Sequence, residues 1–220
     1  MSHTRIKSTL MLGSLAILAA CGGGSNSPTV TTYPVDLAIS DFYQMSHRFT
    51  LHASSGSDNY GLDIAITPGG QASFQGVQGM TDKNTSSESK NGTVLGTNTS
   101  TDYFLTTPYT QLGTTFSSGL VILDSDQQAL PEFAEVGASG KLDSQKYYSD
   151  SSLGSQIGTG NRSWTLASLT SDTAQFCIHD TDDLGGSPET EVDCYDLDAK
   201  GNVTAIQITI VNGGQTLTFK

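Results

Sequence analysis

Basic residues are scarce in this chain, and helix patterns are scarcer. Ten Lys plus Arg stand against 22 Asp plus Glu, a net charge of −12 over 220 residues. Such a balance repels phosphate backbones and anionic headgroups. It argues against nucleic acid as a partner and against electrostatic adhesion to a membrane. Long apolar runs are missing too. Residues 10–20 form an apolar run of eleven, interrupted by Gly13 and Ser14, where a bilayer-spanning helix needs about 20. Catalytic signatures are equally thin. Glycines four apart enclose Val94 and Gln156 rather than serine, so there is no nucleophile elbow. There is no His-Glu-x-x-His and no phosphate loop. Gly158-Thr159-Gly160 has neither an apolar strand before it nor a helix pattern after it and is expected to be a loop. His47 and His52 are five apart, so on a strand they face opposite sides and cannot converge.

The N-terminus carries the most specific signal. Arg5 and Lys7 precede the short apolar run, and Leu18-Ala19-Ala20-Cys21 closes it. That order of charge, apolar run and small residues is a secretory signal. With the cysteine directly after the small pair, it resembles the lipobox of bacterial lipoproteins. The resemblance implies that residues 1–20 are removed and that Cys21 is acylated as the first mature residue. It also implies that the chain, with Gly22 rather than aspartate after the cysteine, is carried to the outer membrane. Loss of Arg5 and Lys7 takes the net charge to about −14, so the acyl chains must do the anchoring. Residues 21–34 are expected to be a flexible tether, rich in Gly, Ser, Thr and Pro. Such a stretch spans on the order of 20 Å as a coil and at most about 40 Å extended.

Beyond Cys21 there are two cysteines, Cys177 and Cys194. In an oxidising compartment they are expected to pair. Each lies in a strand-like run, and a turn-rich segment separates them, so the expected structure is a hairpin stapled across its strands. Closing that loop contributes roughly 3 kcal/mol in the chain-entropy account.

The remaining pattern is β. Runs that alternate polar and apolar residues occur at 48–53, 60–67, 103–107, 119–124, 163–168, 174–179, 192–197, 203–211 and 215–220. Asp198-Ala199-Lys200-Gly201-Asn202 and Val211-Asn212-Gly213-Gly214 are hairpin turns with Gly where φ must be positive. One short helix is expected over 36–44, with Asp36 as N-cap and Leu37, Ile39 and Phe42 as its apolar positions. Residues 80–100 have little to bury and read as a long loop or a weak exposed hairpin. Phe49-Thr50-Leu51 and Trp164-Thr165-Leu166 open hairpins of similar length, a hint of two related lobes, 35–140 and 141–220. The fold class is all-β: an antiparallel meander over 35–220, forming a sandwich or a curled half-barrel. The segments Ser-Thr-Asp-Tyr-Phe-Leu-Thr at 100–106 and Cys-Tyr-Asp-Leu-Asp-Ala-Lys-Gly-Asn-Val at 194–203 resemble small β-rich lipoproteins of proteobacteria. That resemblance implies no activity.

One constellation carries chemical content. Asp180, Asp182, Asp183, Glu189, Glu191, Asp193, Asp196 and Asp198 fall within nineteen residues. Hard oxygen ligands on a turn suit Ca²⁺, with Asp180, Asp182 and Asp183 as its ligands; the alternative is a solvated acidic loop. Asp196-x-Asp198-x-x-Gly201 looks like the start of an EF-hand, but Lys200 and Gln207 occupy ligand positions. No other cofactor is expected. The expected function is a non-catalytic structural or binding lipoprotein of the cell envelope, partnered with the membrane through its acyl chains. The alternatives are an envelope hydrolase using His179 and Asp180, and a lipocalin-like carrier of an apolar ligand.

Overall fold

The computed structural model describes residues 31–186 and 188–220. Cys21, the signal segment 1–20 and most of the expected tether lie outside them. Thr32–Tyr33 (β1) already belongs to the fold. It pairs antiparallel with Ala134–Glu135 (β8), and Tyr33 is fully buried.

The helix α1 spans Val35–Tyr43, one residue earlier than expected. Val35, Ala38, Ile39 and Phe42 recur at i, i+3, i+4 and i+7 and make its buried face. Leu37, expected on that face, is 56% exposed. Asp36 is not the N-cap. That position is Pro34, whose carbonyl accepts the Ala38 N–H at 3.0 Å. The Asp36 carboxylate instead accepts the Tyr109 backbone N–H, tying the helix to the sheet.

Twelve antiparallel strands follow: β2 (His47–Ser55), β3 (Asp58–Phe74), β4 (Val77–Lys90), β5 (Thr93–Thr106), β6 (Tyr109–Phe116), β7 (Val121–Ser125), β9 (Ser139–Tyr148), β10 (Gln156–Ser168), β11 (Ala174–Leu184), β12 (Pro188–Leu197), β13 (Val203–Asn212) and β14 (Gln215–Phe219). They form one sheet in sequence order, with β9 paired directly to β7. The sheet therefore runs unbroken through residue 140, and the two suggested lobes share it. It also curls back on itself. His52 and Lys220 exchange two backbone hydrogen bonds at 3.1 Å, so β14 meets β2 and the meander becomes a nearly closed barrel. A barrel of this kind leaves few unpaired strand edges.

Of the two alternatives for residues 80–100 the hairpin forms, as the long paired strands β4 and β5. One stretch departs from expectation. Gly158-Thr159-Gly160 lies inside β10 rather than in a loop. Both escaped the apolar-alternation test because their inward positions are polar or glycine.

Alternate residues of each strand face the interior. At the end closed by α1, Phe104, Trp164, Leu166, Phe176 and Leu197 form the core with Ile39 and Phe42. Leu130 and Ala134, in the connection between β7 and β9, add to the same core. Toward the other end the interior stays open.

Candidate functional site

The open part of the barrel has two unlike walls. Along β2, β3, β13 and β14 the inward side chains are apolar: Leu51, Leu62, Ile64, Ile66, Ile208 and Phe219 are all buried. Along β4 to β12 the inward positions are largely Ser, Asn, Gln, Asp and Glu. Between them lies a cavity of about 560 Å³, running from Tyr43 and Tyr109 at the helix-closed end to Ser118, Leu184 and Glu189 near the opposite turns. Beside it, against Leu62, Ile64, Ile208 and Ile210, is a smaller chamber of about 160 Å³. Tyr43, Asn84, Ser86, Glu191 and Asp193 line both, so the chambers adjoin at those residues.

Arg162 is the only cation lining these chambers among the described residues. It projects from β10 in phase with Trp164 and Leu166 and is 7% exposed. Its Nε donates to Asp143 Oδ1 at 3.1 Å, and one terminal nitrogen donates to the second Asp143 oxygen and to Asp124 Oδ2 at 2.9 Å. The other terminal nitrogen donates to Gln111 Oε1. Burial opposes the charge on Arg162, but the two carboxylates outweigh it and hold its pKa well above the ordinary value. Asp124 is pushed up to about 6 by burial, with Arg162 pulling the other way. Arg162 is therefore fully engaged with two carboxylates.

The other lumen carboxylates have no such cation. Asp82 and Asp102 face each other across β4 and β5. Asp82 is 1% exposed, and burial followed by the Asp102 charge raises it to about 8. Asp102 accepts the Thr114 hydroxyl at 2.6 Å and is also raised, mainly by burial. On the β11–β12 hairpin, Asp180 stands opposite Glu191 and Asp182 opposite Glu189. Like charges directly opposite on a strand pair are unfavourable. Burial, then Asp182, raises Asp180 to about 8. The neighbouring Asp193 charge and burial raise Glu191 well above its ordinary value. Burial lifts Asp193 to about 6. Asp82 and Asp180 therefore hold their protons at neutral pH, while Asp193 is mostly ionised there.

Gly160 makes room for this arrangement. A Cβ there would lie 2.4 Å from Asp182 Oδ1 and 2.8 Å from Gln145 Oε1. The Tyr147 hydroxyl sits between the same two groups, within reach of Asp182 and 3.0 Å from Gln145 Oε1.

The residues singled out in the sequence divide between the two faces of the sheet. Asp180 and Asp182 line the lumen, while Asp183 lies on the opposite face of β11, where its carboxylate accepts the Gly186 N–H at 2.7 Å. The three do not converge on one ion. No group of three or more His, Cys, Asp or Glu side chains is placed to hold a metal among the described residues. Asp198 accepts the backbone N–H groups of Lys200 and Asn202, at 2.8 and 2.9 Å, which makes it a turn residue. His179 and Asp180 also fall on opposite faces. The His179 ring meets the Thr165 hydroxyl at 2.9 Å on the outer side, so this pair cannot act as a hydrolase dyad. Cys177 and Cys194 stand directly opposite in the register, Cα to Cα 4.1 Å, as a disulfide on the outer face of the same hairpin. Sequence reading passed over Arg162, Asp82, Asp102, Asp124 and Asp143. One signal was available: an arginine in phase with Trp164 and Leu166, in a chain with ten basic residues.

No protein family, curated protein or solved structure matches the chain.

Proposed function

We propose that this protein is a non-catalytic ligand-binding barrel of the cell envelope, held at the outer membrane by acylation of Cys21. The observation that carries the reading is the adjoining pair of chambers inside a nearly closed barrel, about 560 and 160 Å³. Small-molecule sites are commonly concave, preformed and of this size. The mouth of a β-barrel is a usual place for one. A carrier of purely apolar ligands fits less well, because carboxylates line both chambers. The anchor rests on the resemblance of residues 18–21 to a lipobox.

The lumen reading is tested with a fragment library of mixed charge, screened by ligand-observed NMR on the wild type and on Ser86→Trp and Ser100→Trp. Both serines line the larger chamber, and the indole would fill it. Hits lost in folded tryptophan variants support the reading. An absence of hits, or hits indifferent to both variants, overturns it. The anchor is tested separately: Cys21→Ala should abolish fatty-acid labelling and release the protein from membranes.

A further inference from the structure

Resting on the lumen reading, we propose that the ligand is an amphipathic organic cation. Its ammonium head would lie between Asn84 on β4 and Glu191 and Asp193 on β12. Its apolar body, about the size of a benzene ring, would lie against Leu62, Ile64, Ile208 and Ile210.

Three observations support this. The first is the shape of the interior. The smaller chamber has an apolar side, formed by Leu62, Ile64, Ile208 and Ile210, and is flanked by β4 and β12, whose residues shared with the larger chamber are mostly polar. A molecule seated there would have apolar contacts on one end and oxygen atoms at the other. Its volume of about 160 Å³ is close to the ~150 Å³ that accommodates benzene in an apolar protein cavity.

The second is the set of buried side-chain atoms without a hydrogen-bond partner. Asp82 Oδ1 and Oδ2, Asn84 Oδ1, Asp180 Oδ1 and Asp193 Oδ1 are all shut from solvent and unpartnered among the described residues. Asp82 is 1% exposed and lies on the lumen-facing side of β4, one pleat from Asn84 and opposite the cavity-lining Asp102. Buried acceptors of this kind are costly when left alone. Asp82 and Asp180, raised to about 8, carry protons that they can share with Asp102 and Asp182. Asn84 Oδ1 and Asp193 Oδ1, on residues that line both chambers, are acceptors, so their missing partner is a donor. An ammonium supplies three donors and a positive charge.

The third is charge. Arg162 is ion-paired with Asp124 and Asp143. Its charge reaches Asp193 without pairing to it, and no other cation lines the chambers among the described residues. The smaller chamber is also lined by Tyr43 and Tyr195, whose hydroxyls meet at 2.7 Å. Burial raises both phenols well above their ordinary values, so they remain neutral beside the carboxylates. Aromatic faces near a cation site add to its attraction for an organic ammonium. A bare divalent ion would gain nothing from the Leu and Ile side chains of the smaller chamber, and no metal-holding group is formed among the described residues.

The test compares three probes of one shape by calorimetry on the folded protein at fixed ionic strength: phenethylamine, neutral 2-phenylethanol and anionic phenylacetate. Spermidine serves as a cation without an aromatic body. Phenethylamine should bind best, and the neutral isostere roughly tenfold to hundredfold more weakly, the usual weight of a charge-assisted contact. The double variant Glu191→Gln with Asp193→Asn should erase that preference. A control variant of exposed acids, Asp126→Asn with Glu132→Gln, should leave it intact. Equal binding of amine and alcohol, preference for spermidine, or retention of the preference in the double variant overturns the inference. If none of these probes binds but library fragments still give hits lost in Ser86→Trp, the inference fails and the lumen reading stands. If both screens are empty, both fail. The comparison of isosteres on the unmodified protein does not depend on how any variant folds.

Discussion

The two walls of this barrel are built from the same secondary structure and put to opposite uses. On β2, β3, β13 and β14, inward positions carry Leu, Ile and Phe, and each buried side chain favours the closed fold. On β4 to β12, toward the open end, the same inward positions carry carboxylates whose burial is unfavourable. The first wall is the ordinary product of folding. The second is tolerated because the first, together with the helix-closed core, supplies the stability. An interior that works against its own stability is a familiar mark of a functional site.

The largest effect expected from breaking this contrast comes from its single cation. Arg162→Ala would leave Asp124 and Asp143 buried without a partner, and about 3–5 kcal/mol of stability should be lost in urea denaturation. Leu166→Ala, four residues along β10 and 1% exposed, should cost about 2–5 kcal/mol through its cavity. If Arg162→Ala costs less than 1 kcal/mol, the ion network is not holding the acidic wall together.

Next comes the disulfide. It staples the outer face of the hairpin whose inner face sets Asp180 against Glu191 and Asp182 against Glu189. Replacing Cys177 and Cys194 with serine should cost about 3 kcal/mol from loop closure. The loss should be larger at pH 8 than at pH 5, because Asp180 and Glu191, both raised by their surroundings, ionise as pH rises. A pH-independent loss would separate the staple from the charges beneath it.

A smaller effect of opposite sign is expected within the acidic wall. Asp82 and Asp180 titrate near 8 in the folded protein, and Asp124 and Asp193 near 6, against 3.8 for an ordinary aspartate. Between about pH 4 and pH 8 the folded state therefore binds more protons than the unfolded state. Stability falls as pH rises through that window and levels off above it. Asp58, Asp150 and Asp198 shift the other way, but they are exposed and weigh little. The melting temperature should rise from pH 8 to pH 5. Asp180→Asn should stabilise the ligand-free protein at pH 8 by on the order of 1–2 kcal/mol and flatten the pH profile. A melting temperature that rises toward pH 8 would contradict the raised values.

The smallest expected effect is that of calcium. Since Asp183 turns away from Asp180 and Asp182, millimolar Ca²⁺ at constant ionic strength should leave the thermal melt unchanged. A shift lost on Asp180→Asn with Asp182→Asn would instead give the acidic wall a metal.

Most strands with apolar alternation were legible in the sequence, as were the cysteine pairing on one hairpin and the 198–202 and 211–214 turns. They were legible because a one-sided sheet writes its period into hydrophobicity. β4, β6, β9 and the first half of β10 were not, since polar residues and glycine occupy much of their inward side. The acidic cluster at 180–198 was visible, but which carboxylates share a face depends on strand register, which composition does not carry. The sequence by itself determined an acidic, antiparallel, all-β chain with one short helix, because these follow from charge count, period and turn residues. Only the tertiary structure decided that the sheet closes on itself. The register of β10, β9 and β7 set Asp143 and Asp124 around Arg162, and closure placed an apolar wall across from them. Long-range pairing of β2 with β14 brings that wall across the lumen, and no local pattern encodes it.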